Sequence, residues 1–204
     1  MRKILLIISF VTLSLFVFAQ ESTKQKEIGL AFYNLDNFGL SVKTGTNKSL
    51  WRFTTLLVKG SNTEGTADSL VYKESNNGLG LKAGKEFRSK MTDDLQFRFG
   101  GDISFDYYQS KFDYNDKSIE DRDRKREKKT YKLGINLVLG FNYILSDNLV
   151  IGAELLPNFG YRSGTETRKN YYDNGDAETK SDFSGFNYGL SNKSVMITLA
   201  YKFQ

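Results

Sequence analysis

The stretch of residues 95–107 constrains the fold of this chain more than any other part of the sequence. Its odd positions are mostly apolar, among them Phe97, Phe99, Ile103 and Phe105, and its even positions are mostly polar. Because successive side chains of a strand point to opposite sides, this period of two predicts a β-strand between an apolar and a polar medium. Ten residue-to-residue steps of roughly 3.3 Å, in a strand tilted by about 40° from the membrane normal, cover about 25 Å along that normal. The length therefore favours a strand that crosses a lipid bilayer.

Residues 1–19 have the organisation of a secretory signal peptide. Arg2 and Lys3 precede an almost unbroken apolar run at 4–18, and Val17-Phe18-Ala19 places small residues where a signal peptidase cleaves. The alternative is a membrane-anchoring helix, but the run is short for a span and polar residues follow it at once. We expect a signal peptide at 1–19, cleaved after Ala19, and one outer-membrane domain over 20–204.

The composition excludes several classes of protein. The chain has no Cys, so neither disulfides nor thiol chemistry are available, and its 16 Phe, 12 Tyr and 18 Gly with one Pro favour an aromatic-rich sheet. Beyond the signal peptide, no window approaches the ~18 consecutive apolar residues of a spanning helix. The net charge of +5 falls to +3 without Arg2 and Lys3, which gives no reason to expect a nucleic acid as partner.

The same period of two recurs along the chain and predicts an all-β fold. Strands are expected at 27–35, 38–45, 49–59, 79–90, 95–107, 131–145, 149–161 and 183–203, the last with a kink near Ser191 and Asn192. Short turns at 45–48, 92–94 and 146–148 alternate with long polar loops at 61–77, 113–129 and 162–182. This order is typical of an eight-stranded antiparallel transmembrane β-barrel, an up-and-down meander with short periplasmic turns and long external loops.

Residues 27–45 permit two interpretations. They form either one long strand or a hairpin that reverses near Asp36 and Asn37. Single-chain bacterial barrels have an even number of strands, so the parity of the remaining strands favours the hairpin.

Alternation alone does not decide which face is outside, because a lipocalin-type barrel places its apolar face inside. We expect a polar interior, because the polar face is rich in Gly and carries charges of both signs that can pair across a narrow lumen. This predicted lumen charge network consists of Arg52, Lys82, Glu86, Arg88, Arg98, Asp102, Asp106, Lys132, Glu154 and Lys202. Aromatic residues fall where two interfacial girdles are expected, namely Trp51, Phe97, Tyr107, Tyr131, Tyr143, Tyr161, Tyr201 and Phe203.

Both ends of the chain resemble a known family. The signal that ends in Phe-Ala-Gln, the opening EIGL (27–30) and NLDNFGL (34–40), and the ending ITLAYKF (197–203) look like the small outer-membrane β-barrel domain proteins of Bacteroidota. These are similar in shape to the OmpX and OmpA barrels. The resemblance implies a location in the bacterial outer membrane and assembly by the outer-membrane assembly machinery, which reads the last strand. In this chain Phe203 is the penultimate residue, whereas the family pattern ends on the aromatic.

The sequence offers little for catalysis. It has no His, which known outer-membrane barrel enzymes use as base or proton carrier. Asp102 and Asp106 are about 13 Å apart along a strand, too far for a shared-proton pair. The run Asp173-Asn174-Gly175-Asp176 lacks the spacing of a calcium loop and is interpreted as a turn. We therefore expect a protein that is not an enzyme and has neither a cofactor nor a metal site.

A basic run lies on the loop predicted at 113–129. Its cations are candidates for contact with lipid phosphates, namely Arg122, Arg124, Lys125, Arg126, Lys128 and Lys129. The acids interspersed among them favour a simple solvated loop.

Three functional hypotheses follow. The first is a monomeric, non-enzymatic barrel with a side-chain-plugged lumen and charged external loops, in contact with outer-membrane lipid, in a structural or surface-interaction role. The second is a narrow, porin-like channel for small solutes, which the small interior of eight strands disfavours. The third is a periplasmic lipocalin-like carrier.

Overall fold

The computed structural model describes residues 24–33, 37–56, 60–67, 70–116, 124–171, 177–190 and 194–203, and all its regular structure is antiparallel β. The strands are β1 (Lys24–Tyr33), β2 (Asn37–Thr46), β3 (Ser49–Leu56), β4 (Ser61–Ala67), β5 (Leu70–Lys90), β6 (Leu95–Asp116), β7 (Arg124–Ser146), β8 (Leu149–Leu155), β9 (Asn158–Asn170), β10 (Ala177–Gly189) and β11 (Val195–Phe203). The described residues contain no helix that is long and apolar enough to span a membrane.

Eight of these strands close into a ring. Its order is β1, β2, β3, β5, β6, β7, β8 and β11, and the pairing of β11 with β1 completes it. The segment 27–45 is a hairpin, since β1 and β2 pair antiparallel up to Tyr33 and Asn37. The prediction of a hairpin at 27–45 is thereby confirmed, with its turn at 34–36 outside the described residues.

The register fixes the tilt of the ring. The pairs that start at Ala31 lead through β2, β3, β5 and β6 to Lys132 on β7, and in the other direction through β11 and β8 to Asn142. These end points differ by 142 − 132 = 10 residues on one strand, which is the shear of the ring. With strands about 4.8 Å apart and a rise of about 3.3 Å per residue, this shear corresponds to a tilt of about 40°.

Three ring strands continue far beyond the ring. β5, β6 and β7 have 21, 22 and 23 residues, and with β4, β9 and β10 they form a second sheet region that we call the extension. Its order is β4-β5-β6-β7-β9-β10. Among the described residues, β4 pairs only with β5 and β10 pairs only with β9.

The extension corrects the prediction of long loops. Much of each predicted loop, 61–77, 113–129 and 162–182, is strand. The apolar alternation ends there because polar residues predominate on both faces of the extension, but ladder hydrogen bonds between neighbouring strands do not depend on side-chain polarity. Loss of the period therefore marked the end of the apolar band and not the end of the strand.

The two faces of the ring differ in polarity in the expected sense. On β7, Leu133, Ile135 and Leu137 point outward with 57–59% of their surface exposed, whereas Asn136 and Val138 are buried inside. The apolar face is thus the outer one, opposite to the lipocalin arrangement. A small apolar cluster also lies inside the ring, formed by Ala31, Tyr33, Val138, Leu156 and Met196.

Two interruptions of strand structure lie between the ring and the extension. The chain's one proline, Pro157, lies between β8 and β9, where it accepts a hydrogen bond from Leu137 N at 2.9 Å. Pro lacks the N–H that a ladder needs and is typical of such interruptions. Between β10 and β11 the outward positions change from even numbers (Phe186, Tyr188) to odd numbers (Val195). The predicted kink at Ser191 and Asn192 lies outside the described residues.

Candidate functional site

The interior of the ring holds a buried ion-pair network centred on Glu86. One of its carboxylate oxygens lies 2.9 Å from Lys43 Nζ and 3.1 Å from Arg52 Nη1, and the other lies 2.7 Å from Arg88 Nε. The Glu86 side chain has no exposed surface. Its partners come from β2, β3 and its own strand β5, so one carboxylate ties three neighbouring strands together.

Arg52 extends the network across the ring. Its guanidinium donates two hydrogen bonds to Glu154 on β8, at 2.7 and 3.0 Å, and its Nε lies 3.1 Å from Asp102 on β6. Paired parallel N–H···O bonds of this kind are among the strongest contacts between side chains. The contact joins strands on opposite sides of the ring, β3 and β8.

Arg88 joins the network to the first strand. It donates to both carboxylate oxygens of Glu27, at 2.6 and 2.8 Å. Sequence reasoning missed Glu27 and Lys43. The signal was present, because Ile28, Leu30 and Val42 are apolar and outward, which places Glu27 and Lys43 inside once the hairpin is accepted.

Arg98 completes the cluster at longer range. Its guanidinium nitrogens lie 3.6 Å from Glu86 and 3.5 Å from Glu154, and the side chain is fully buried. A Cβ on Gly152 would lie 2.7 Å from Arg98 Nη2, so this glycine leaves room for the guanidinium.

The remaining predicted lumen charges lie around this centre. Lys82 Nζ sits 4.7 Å above the ring centre of Tyr33. Asp106 is buried and in register with half-buried Lys132 on the next strand, and half-buried Lys202 is in register with Glu27. All ten predicted residues therefore lie on the interior face, while the tight contacts are concentrated among fewer of them.

The geometry favours structure over catalysis. The central carboxylates of Glu27, Glu86, Asp102 and Glu154 each contact at least one Arg, which is typical of structural ion pairs. In the described part of the chain, no group of three or more acidic side chains is placed to hold a metal ion.

The predicted aromatic residues lie on the outer face. Trp51, Tyr131, Tyr143, Tyr161, Tyr201 and Phe203 are 43–53% exposed. Phe97 is half-buried against Phe141, with ring centres 5.4 Å apart, and Tyr107 against Tyr131 at 5.1 Å. Tyr107, Tyr131 and Tyr161 are near the beginning of the extension, and the others are near the short turns.

The basic run lies on strand β7 of the extension and not on a loop. Alternation along the strand divides its cations between two faces, so they do not form one phosphate-binding cluster. Arg126 Nε lies 2.9 Å from Glu166, Lys129 Nζ lies 3.2 Å from Glu127, and Lys125 and Lys128 lie over the rings of Tyr171 and Phe183. Arg124 is exposed at the end of β7, and Arg122 lies outside the described residues, as does the predicted turn at 173–176.

Hydrogen bonds from neighbouring side chains lower the pKa of two acids in the extension. Arg126 and Arg168 both donate to Glu166 and lower its pKa, and Gln109 and Lys129 do the same for the pKa of Glu127. Both carboxylates are consequently ionised under ordinary conditions.

Comparison with known families agrees with this architecture. The model of the "Putative OmpA-OmpF-like porin family" matches residues 68–191, which are 124 of the 204 residues of the chain. The chain belongs to the OmpA-OmpF-like porin family. This is a family of porin-like outer-membrane β-barrel proteins, not of enzymes. A comparison with curated proteins found no match.

Several solved structures are similar to this chain in the path of their backbone. A major outer membrane protein from Thermus thermophilus has 14% identity and a TM-score of 0.49, covering 90% of this chain and 100% of that one. Ail, the attachment invasion locus protein of Yersinia pestis, has 14% identity and a TM-score of 0.41 over 90% and 100%. Acinetobacter baumannii CarO has 9% identity and a TM-score of 0.34 over 90% and 97%.

Proposed function

We propose that this protein is an eight-stranded transmembrane β-barrel of the bacterial outer membrane, with an interior closed by the ion-pair network. In this proposal the ring is a non-enzymatic anchor, and it presents the extension at the cell surface as a structural or interaction surface.

The observation that carries the proposal is the burial of the network. Arg52, Glu86, Arg98 and Glu154 have side chains with 0–1% exposed surface, and their contacts run across the ring. A ring of eight strands has an interior that side chains alone can fill. Charges that are buried and paired at 2.7–3.1 Å support an interior that is closed to water and solutes at this level.

Membrane insertion is supported by the outer face of the ring. Its exposed apolar side chains continue around the strands, for example Phe53, Leu81, Ile103, Leu137 and Ile197. Soluble proteins rarely expose contiguous apolar patches larger than a few hundred Å². At a tilt near 40°, ten residues of strand span about 25 Å, which matches the lipid-facing belt of an outer-membrane barrel.

The route to the membrane completes the proposal. Residues 1–19 supply export, and the last strand, β11, ending near Phe203, supplies the signal for the assembly machinery. The lipid of the outer membrane is the immediate partner of the ring, and the barrel functions as a monomer. The likeness of both termini to Bacteroidota barrel proteins supports an origin in that group.

Membrane placement is tested with spin labels on the protein refolded in lipid vesicles. Labels at Phe99 and Leu137 should report hydrocarbon, whereas labels at the neighbouring interior positions Arg98 and Asn136 should not. Outer-membrane fractionation and heat-modifiable migration in detergent gels provide the independent check of location and fold. A chain that stays soluble after osmotic shock would refute the proposal.

Closure of the interior is tested by planar-bilayer recording. We expect no steady single-channel steps from the wild type, because the network fills the lumen. Replacement of Arg52 and Glu154 together by Ala removes the cross-ring contact and should produce steps if the variant remains heat-modifiable. Steady steps from the wild type would favour the narrow channel instead.

A further inference from the structure

A shallow depression lies on the extension at its border with the ring. It has a volume of about 420 Å³ and is lined by Tyr131, Ser163, Gly164, Thr165, Asp182, Phe183 and Ser184. This volume is within the range of about 300–1,000 Å³ that is typical of small-molecule sites.

The register places five of its lining side chains on the outer face, whereas Phe183 is in register with Gly164 on the opposite face. Tyr131, Ser163 and Ser184 form one row across β7, β9 and β10, and Thr165 and Asp182 form the next row away from the ring. Since side chains two residues apart share a face, Tyr131 lies on the same face as the exposed Leu133. The Thr165 hydroxyl donates to Asp182 Oδ1 at 2.9 Å, which orients the carboxylate.

An exposed aromatic cluster borders the depression on the side of the ring. Phe186 packs against Phe159 and Tyr161, with ring centres 5.8 and 5.2 Å apart. Phe186 is 67% exposed, and it is in register with Tyr161 directly below the row of Ser163 and Ser184. The outer surface is therefore aromatic in the row nearest the ring. It carries hydroxyl and carboxylate groups in the next two rows.

This combination of groups suits a sugar. Ser and Thr hydroxyls both donate and accept hydrogen bonds, a carboxylate accepts from sugar hydroxyls, and an aromatic ring covers the apolar face of a pyranose. An isolated phosphate is less suitable, because it would face the Asp182 charge, while Lys129, the cation in the same row, is paired with Glu127 at 3.2 Å.

We propose that the depression binds the sugar headgroup of an outer-leaflet glycolipid, whose acyl chains run along Phe159, Tyr161 and Phe186. This inference rests on the membrane placement proposed above, which brings the depression to the level of the headgroups. Tyr131 covers the sugar, and Asp182, Ser163 and Ser184 bind its hydroxyls.

The test uses the full-length mature protein in phosphatidylcholine nanodiscs, with lipid A as the probe and native mass spectrometry to count retained glycolipid. The variant Asp182→Asn keeps the shape of the site but removes its charge. We expect glycolipid binding at least about tenfold weaker, since a hydrogen bond to a charged group contributes at least about that factor. The matched control is Asp113→Asn, an exposed acid of β6 outside the depression, which should bind as the wild type does.

Three results would overturn the inference. Unchanged binding by Asp182→Asn would show that the carboxylate is not used. Loss of binding with enzymatically dephosphorylated lipid A would show that phosphate and not sugar is recognised. Equal binding of the free glucosamine disaccharide would show a site for soluble sugars. Heat-modifiable migration of every variant is measured first, because failure there contradicts the proposed barrel and is thus distinct from failure of the site.

Discussion

At the scale of single residues, Glu86 shows how this protein accommodates charge inside a narrow ring. Three cations lie within 3.1 Å of its carboxylate, and none of these groups is more than slightly exposed. Removing one partner of a buried pair leaves the other uncompensated in a medium of low polarity, which costs more than the pair contributes. The network therefore restrains the interior because each member depends on the others.

Glu86→Gln should lower the free energy of unfolding by about 3–5 kcal/mol, because it leaves Lys43, Arg52 and Arg88 with less compensation. The measurement is urea unfolding from lipid vesicles, followed by the fluorescence of Trp51, the one tryptophan of the chain. Glu64→Gln is the control, since Glu64 pairs with Lys73 at 2.9 Å in an exposed position and should change stability by about 1 kcal/mol or less. Equal effects of the two substitutions would contradict the role given to the network.

Gly152→Ala should also destabilise the ring, by about 1–3 kcal/mol. The added Cβ would lie 2.5 Å from Thr198 Oγ1 and 2.7 Å from Arg98 Nη2, so the interior must rearrange around it. Gly185→Ala is a matched control in β10, where the nearest atom to a Cβ would be Arg162 Nε at 4.0 Å. The same unfolding measurement applies, and a stable Gly152→Ala would argue against close packing around Arg98.

At the scale of elements, the two halves of β7 lie in different environments. From Leu133 to Tyr143 the strand alternates strictly between exposed apolar and buried side chains, and its ring half, from Leu139 on, pairs with β8. Its extension half pairs with β9 and carries the basic run, with Glu166 placed between Arg126 and Arg168. The extension therefore depends on its backbone hydrogen bonds, to which ion pairs near the surface add a smaller contribution.

Acidification should loosen the β7–β9 pairing in the extension. The pKa of Glu166 is lowered from its ordinary value by hydrogen bonds from Arg126 and Arg168. Its contribution is hence present above the unfolded pKa of about 4.5 and is lost as the pH falls through the lower folded value. Amide hydrogen exchange of residues 164–170, corrected for the intrinsic pH dependence, should increase at pH 3 relative to pH 6. Glu166→Gln should remove most of this difference, and its persistence in that variant would assign it to another group.

At the scale of the whole molecule, the ring and the extension have different sources of stability. The ion-pair network and the ring's pairings, including the seam between β1 and β11, lie within the ring itself. The extension adds pairings among β4, β5, β6, β7, β9 and β10 but contributes no member of the central network. The ring should accordingly fold without it.

Replacing residues 61–77, 109–129 and 164–182 each by a four-residue turn should preserve the ring. The expected result is a chain that still shows heat-modifiable migration and fractionates with the outer membrane, because all members of the central network are retained. The same chain should lose retention of lipid A, since Thr165 and Asp182 are removed. A trimmed chain that aggregates while a chain with scrambled extension sequences folds would show that the extension is needed to form the ring.

Sequence alone predicted most of the ring's strands and their two-faced character, because the period of two at 95–107 and 131–145 is typical of strands with an apolar medium on one side. It also predicted ten charged residues inside, from parity together with the glycines and the charges of both signs on that face. The tertiary structure decided what parity cannot express: that Glu86, Arg52 and Glu154 meet across the ring, and that Glu27 and Lys43 join them. It also decided that 61–77, 113–129 and 162–182 are largely strand, because strand pairing there depends on backbone hydrogen bonds from neighbouring strands, which leave no periodic trace when both faces are polar.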